Sequence, residues 1–155
     1  MKKTNAIRIL SQKKVDFDTV TYVYDSENLS VEKIAAENGL ALELIYKTLV
    51  LKGDKTGIIV ALVAGNASVS LKKLASLSGN KKMAMVAVKD LQQQTGYIRG
   101  GCSPIGMKKN YPVYISEEAQ HLEKMYINAG TRGILVGVSP TALQTIVNGI
   151  WGNFI

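Results

Sequence analysis

The chain has 155 residues, of which 46% are apolar and 20% charged, with three prolines and a formal net charge of +7. This is the length of one domain able to bury a core, and the composition excludes a disordered chain. No apolar run approaches the ~20 residues that a bilayer-crossing helix needs.

Thr4 to Lys14 reads as a helix, with Ala6, Ile7 and Leu10 at core spacing. Asp16 to Tyr24 offers Phe17, Val20 and Tyr22 for a strand. Ser30 and Gly39 then bracket a short helix as N-cap and stop. Ala41 to Lys47 reads as a further helical turn or two. Thr48–Leu51 and Ile58–Val63 are two apolar runs around a Gly/Asp-rich link, which predicts a hairpin. Ser70 and Gly79 repeat the cap-and-stop arrangement around Leu71, Leu74 and Ala75. Met83 to Val88 reads as a buried strand and Asp90 to Gln94 as a short helix.

After a glycine-rich stretch, Tyr111 to Ile115 is a strand, Ser116 to about Leu122 a short helix, and Met125 to Asn128 a strand. Gly130-Thr131-Arg132-Gly133 turns into another, Ile134 to Val138. Ser139-Pro140 opens a last helix, with proline at its first position. The expected architecture is one α+β domain over residues 1–155. It is built on a mixed, mostly antiparallel sheet curled toward a barrel, with short helices around it.

The charge is concentrated. Between Lys55 and Ser116 lie nine basic residues and one acid, Asp90. Such a region draws polyanions through their phosphates, or is simply a solvated lysine face. With sixteen lysines to three arginines, diffuse attraction is favoured over bidentate base reading. The single cysteine, Cys102, excludes an internal disulfide and suits a reducing compartment. One cysteine and one histidine, His121, do not assemble a metal site. Met1 to Asn5 is basic but is followed by no signal-length apolar stretch, so the expected location is cytoplasmic, with no membrane partner.

The densest feature is Thr95-Gly96-Tyr97-Ile98-Arg99-Gly100-Gly101-Cys102-Ser103-Pro104-Ile105-Gly106. Glycines there permit positive φ and close backbone approach to an anion or oxyanion, or serve a tight structural crossover. A P-loop fails because Met107 stands where its lysine belongs, and a nucleophile elbow fails because Ile105 follows Ser103 where glycine is needed. Cys102 reads as a small buried filler. His121, beside Glu117, Glu118 and Glu123, reads as a surface residue. Lys47 opens an apolar strand, and its ammonium either points into a polar cleft or reaches solvent along its alkyl stem. An enzyme with this inventory works by positioning and electrostatics.

Tyr46-Lys47-Thr48-Leu49, Thr95-Gly96-Tyr97, Gly100-Gly101-Cys102-Ser103-Pro104-Ile105-Gly106 and Gly130-Thr131-Arg132-Gly133 stand in the order and approximate spacing of the YbaK/EbsC family. The chain resembles that family from Thr4 to the last helix. The family is similar to the editing domain inserted in bacterial prolyl-tRNA synthetases. The resemblance implies a deacylase acting in trans on aminoacyl-tRNA, with mischarged Cys-tRNA(Pro) as substrate, Cys-tRNA(Cys) as a further one, and no cofactor. It implies Lys47 as the functional lysine, with Gly100 and Gly101 at the reacting ester. Tyr22, Thr48, Ser103, Gly130 and Arg132 are implied as substrate-binding residues. A chain this small has little surface for reading a whole tRNA, so prolyl-tRNA synthetase is a candidate partner. Two other classes stay open: a tRNA- or nucleotide-binding module without catalysis, and a regulatory protein binding an amino-acid-like ligand.

Overall fold

The computed structural model describes residues 3–28 and 30–155; Met1 and Lys2 of the basic N-terminus, and Leu29, lie outside the described residues. The elements in order are α1 (Asn5–Gln12), β1 (Phe17–Thr21), α2 (Val31–Asn38), β2 (Tyr46–Gly53), β3 (Gly57–Ala64), α3 (Leu71–Ser78), β4 (Met83–Met85) and α4 (Val88–Thr95). They continue with β5 (Val113–Ser116), β6 (Met125–Asn128), β7 (Ile134–Val138), α5 (Pro140–Val147) and β8 (Ile150–Gly152). Two 3-10 turns, Leu42–Leu44 and Glu117–His121, stand where helical segments were expected.

The helix ends follow from local chemistry. Ser30, Ser70 and Ser139 each accept, through Oγ, a backbone N–H three residues on. Thr4 does the same for α1. Gly39 and Gly79 end their helices in the left-handed conformation that costs glycine least.

The strands form two sheets. One is antiparallel, ordered β1-β7-β6; the other is mixed, ordered β4-β2-β3-β5-β8. In the second, β2 and β3 form the expected hairpin, with Val50 opposite Val60, and the pairings β3–β5 and β5–β8 are parallel. An isolated bridge between Ile45 and Tyr126 links the entry of β2 to β6. The fold is α+β as expected, but the sheet is split in two and does not close into a barrel. The main core lies between the sheets and α1, where Ala6, Ile7 and Leu10 meet Val60, Leu62, Ile115, Ile127 and Val136. β3 is buried on both faces, and each large side chain so buried contributes about 1.5–3 kcal/mol.

Met83–Met85 corrects an expectation. It pairs with β2 for three residues at the sheet edge, and Met85 is 51% exposed. An apolar run announces burial only if another layer covers it, and none covers this one fully. β8 was not expected at all.

Candidate active site

β2 begins where the two sheets meet, and a cleft of about 180 Å³ opens there. Its floor and walls come from Ile45, Tyr46, Lys47 and Thr48 on the β2 side, and from Asn128 and Leu135 on the β6–β7 side. Tyr22 and Tyr24, just past β1, and Gly100 and Cys102, from the glycine loop, complete the wall. Strand pleating sends Lys47 and Thr48 to opposite faces of β2. The Lys47 ammonium donates to the carbonyl of Ala67 at 2.9 Å, which anchors this half-buried cation beside the cleft. Thr48 shares its face with Val50, which packs against Cys102. The Thr48 hydroxyl oxygen is buried without a hydrogen-bond partner, the single such side-chain atom among the described residues. An unsatisfied buried hydroxyl costs roughly 1–3 kcal/mol.

The glycine loop is held by Asn128. Its Nδ2 donates to the Gly100 carbonyl at 2.9 Å, and its Oδ1 accepts from the backbone N–H of Gly130 at 2.7 Å and of Thr131 at 3.2 Å. One carboxamide thus ties the 100 loop to the 130 turn. Gly100 has φ of +83°, a conformation that disfavours any side chain. The Gly101 N–H closes a turn onto the Ile98 carbonyl at 2.9 Å. Among the described residues the backbone N–H groups of Gly100 and Cys102 have no acceptor, and both residues line the cleft.

The titratable groups sort by environment. Burial pushes the Cys102 thiol up to about 11, against a small opposing hydrogen bond from Thr95. At neutral pH it is a protonated thiol and a poor nucleophile. Burial, and then the neighbouring Glu118 carboxylate, raise Tyr46 above the usual phenol range. At the mouth, the Glu27 N–H and then Lys33 hold the Asp25 carboxyl below its ordinary value. Lys33 is raised in turn, mainly by Asp25, and also pairs with Glu37. Of the lysines lining the cleft, Lys33 is therefore neutralised, whereas Lys47 meets only a carbonyl.

A family model described as the aminoacyl-tRNA editing domain matches residues 25–146. This chain belongs to the aminoacyl-tRNA editing domain family. An Enterococcus faecalis protein named "Putative Cys-tRNA(Pro)/Cys-tRNA(Cys) deacylase EbsC" is 47% identical over 147 residues, 95% of this chain and 90% of that protein. A proline--tRNA ligase of Thermosipho africanus is 29% identical over 91 residues, 59% of this chain and 16% of the ligase. The chain has the fold of a solved structure called "Crystal structure of a putative trans-editing enzyme for prolyl tRNA synthetase". The TM-score is 0.83 at 21% identity, covering 99% of this chain and 98% of the other.

Within this editing domain the residues singled out from sequence divide in two. Lys47, Thr48, Tyr22 and Gly100 line one cleft. Gly101 is buried against the backbone of Thr131 and Arg132, and its N–H is already used in the turn. Ser103 is fully buried, its Oγ accepting from the Ile105 N–H at 3.2 Å, so it shapes the loop from inside. Gly130 packs against the Tyr97 ring, outside the cleft lining. Arg132 sits at the mouth, stacked on Tyr24. His121 is exposed, and Cys102 is buried but does reach the cleft. Asn128 and Tyr24 were not foreseen. No motif marks them, since their roles exist only once the 24, 100 and 130 segments converge. Among the described residues no three of His, Cys, Asp and Glu gather to hold a metal, and no helix is long and apolar enough to cross a membrane.

Proposed function

We propose that this chain is a trans-acting deacylase that removes cysteine from mischarged Cys-tRNA(Pro), and from Cys-tRNA(Cys), by cleaving the aminoacyl ester with the substrate's own thiol as nucleophile. The observation that carries the reading is a small cleft that offers unmet hydrogen-bonding groups but no protein nucleophile. Among the described residues the Thr48 hydroxyl and the N–H groups of Gly100 and Cys102 are unpartnered, while the one thiol at hand is held protonated. Family membership and the 47% identity to the Enterococcus protein supply the substrate class.

The cleft suits a small aminoacyl group with the tRNA outside. In this mechanism the ester carbonyl oxygen lies against the N–H groups of Gly100 and Cys102. One oxyanion donor is worth on the order of 10²–10³ in rate. Lys47 holds the terminal ribose or the ester carbonyl, and the Thr48 hydroxyl lies directly behind the cleft wall. A free cysteine thiol has a pKa of about 8.5 and is a few per cent thiolate at neutral pH. Its sulfur attacks the carbonyl carbon of its own residue, forming C–S and breaking C–O. The ribose oxygen leaves and takes a proton, and water then opens the thioester formed. Sulfur and carbonyl already belong to one residue, so the cleft contributes by holding them in the reactive orientation.

The deciding assay incubates the purified chain with Cys-, Ala-, Pro- and Ser-tRNA(Pro) and with Cys-tRNA(Cys). Fast loss of cysteine alone is expected. If every aminoacyl-tRNA survives, the deacylase reading is wrong.

A further inference from the structure

The cleft mouth carries an arrangement that ester cleavage does not use. The Arg132 guanidinium carbon lies 4.5 Å from the centroid of the Tyr24 ring. Arg132 Nε donates to the Arg99 carbonyl at 3.0 Å, which fixes the guanidinium. Among the described residues its terminal amino groups have neither a hydrogen-bond acceptor nor a salt bridge. The nearby Asp25 does not neutralise it, being held by Lys33 at 3.2 Å and by the Glu27 N–H at 3.0 Å. A Cβ at Gly100 would stand 3.0 Å from Tyr24 Cε2 and 3.6 Å from Arg132, so the loop backbone lies flush against this pair. Arg132 is exposed and Tyr24 half-buried.

A guanidinium held over a phenol ring has one side taken by the ring, and the exposure of Arg132 leaves surface on the cation open to a ligand. A free planar face accepts a nucleobase, and the in-plane N–H groups accept phosphate oxygens. Lysine offers neither plane nor fork. The platform adjoins Gly100, the residue whose amide borders the reacting ester in the proposal above, on which this inference rests. A terminal nucleotide and its aminoacyl group are adjacent in the same way.

We propose that the Tyr24–Arg132 stack is the seat of the 3′-terminal nucleotide of the tRNA. Its base stacks on the outer face of the guanidinium, and the adjoining phosphate is bound by the guanidinium edge.

The test measures kcat and KM on Cys-tRNA(Pro), and binding of the trinucleotide CCA, for wild type, Tyr24→Ala, Tyr24→Leu, Tyr24→Phe, Arg132→Ala and Arg132→Lys. Thermal midpoints report folding. Tyr24→Leu keeps bulk against Gly100 without a ring, so it separates stacking from collapse of the loop. Tyr24→Ala, Tyr24→Leu and both Arg132 variants are expected to raise KM and weaken CCA binding on the order of ten-fold. Their kcat should stay within about twofold, and Tyr24→Phe should match wild type. Folded Tyr24→Leu and Arg132→Ala with wild-type KM overturn the platform, as does a loss confined to kcat. If wild type leaves Cys-tRNA intact, the deacylase reading fails by itself. CCA binding that depends on Tyr24 and Arg132 then still supports the platform, and its absence removes that as well.

Discussion

The two ends of β2 are built to opposite rules. At its far end, around Gly53, the side chains of Asn80 and Asp54 meet the loop amides. Asn80 Oδ1 accepts from the N–H groups of Lys55 at 2.8 Å and Thr56 at 3.0 Å, and its Nδ2 donates to Thr56 and Ser78 hydroxyls. Asp54 accepts from the N–H groups of Lys81 and Lys82. At the near end, among the described residues, the buried Thr48 hydroxyl has no partner and the Gly100 and Cys102 amides have no acceptor. A satisfied corner makes structure; in the proposed mechanism the unsatisfied one leaves bonds for a substrate to make.

That contrast can be broken at either end. Lys47→Ala should lower kcat/KM on the order of 10²-fold, the scale of a lost transition-state contact. It should cost only about 1 kcal/mol of stability for the lost bond to Ala67. Steady-state kinetics and a denaturant melt separate the two, and a fully active, folded variant would remove Lys47 from the mechanism. Asn80→Ala should do the reverse. It should destabilise by about 2 kcal/mol, stranding the Lys55 and Thr56 amides, while leaving the activity of the folded fraction unchanged.

Thr48→Val sharpens the comparison most. Removing an unmet hydroxyl at constant shape should stabilise the fold by about 1 kcal/mol and reduce kcat/KM on the order of ten-fold. A destabilised variant would mean that the hydroxyl is satisfied in solution. The smallest effect belongs to Cys102→Ala, which should keep activity within about twofold because a buried thiol is not the nucleophile. Its signature lies in alkali. With the folded thiol pushed by burial to about 11, above its ordinary value, the unfolded chain loses the proton first. Stability is therefore whole below pH 9 and falls as pH rises toward 11. The variant should lose part of that decline in thermal midpoints. Tyr97, pushed up to about 12 by burial, keeps the remainder at the alkaline end.

What could be read in advance was what local chemistry decides. The Ser30–Gly39 and Ser70–Gly79 pairs gave their helices correctly, because capping needs only neighbours. The β2–β3 hairpin was equally plain in two apolar runs around Gly53-Asp54. β8 was not, since three residues pairing in parallel with β5 have no signal of their own. Burial of Met85 was misjudged for the same reason: the missing layer lies elsewhere in the chain. At the site, resemblance brought Lys47, Thr48, Tyr22 and Gly100 to one cleft. It gave no hint that Ser103 faces inward, or that the Gly101 amide is spent on a turn. Asn128 escaped because its partners lie 28 residues upstream and two to three downstream, a relation that only folding creates.

One comparison tests the central claim most directly: single-turnover deacylation of Cys-tRNA(Pro) and Ser-tRNA(Pro) by the same preparation, from pH 6 to 9. The two substrates differ by one atom, sulfur for oxygen. A cysteinyl rate that exceeds the seryl rate at least a hundred-fold, and climbs with pH toward the thiol's ionisation, is the predicted result. Equal rates with a shared pH profile would assign the attack to water and contradict the account.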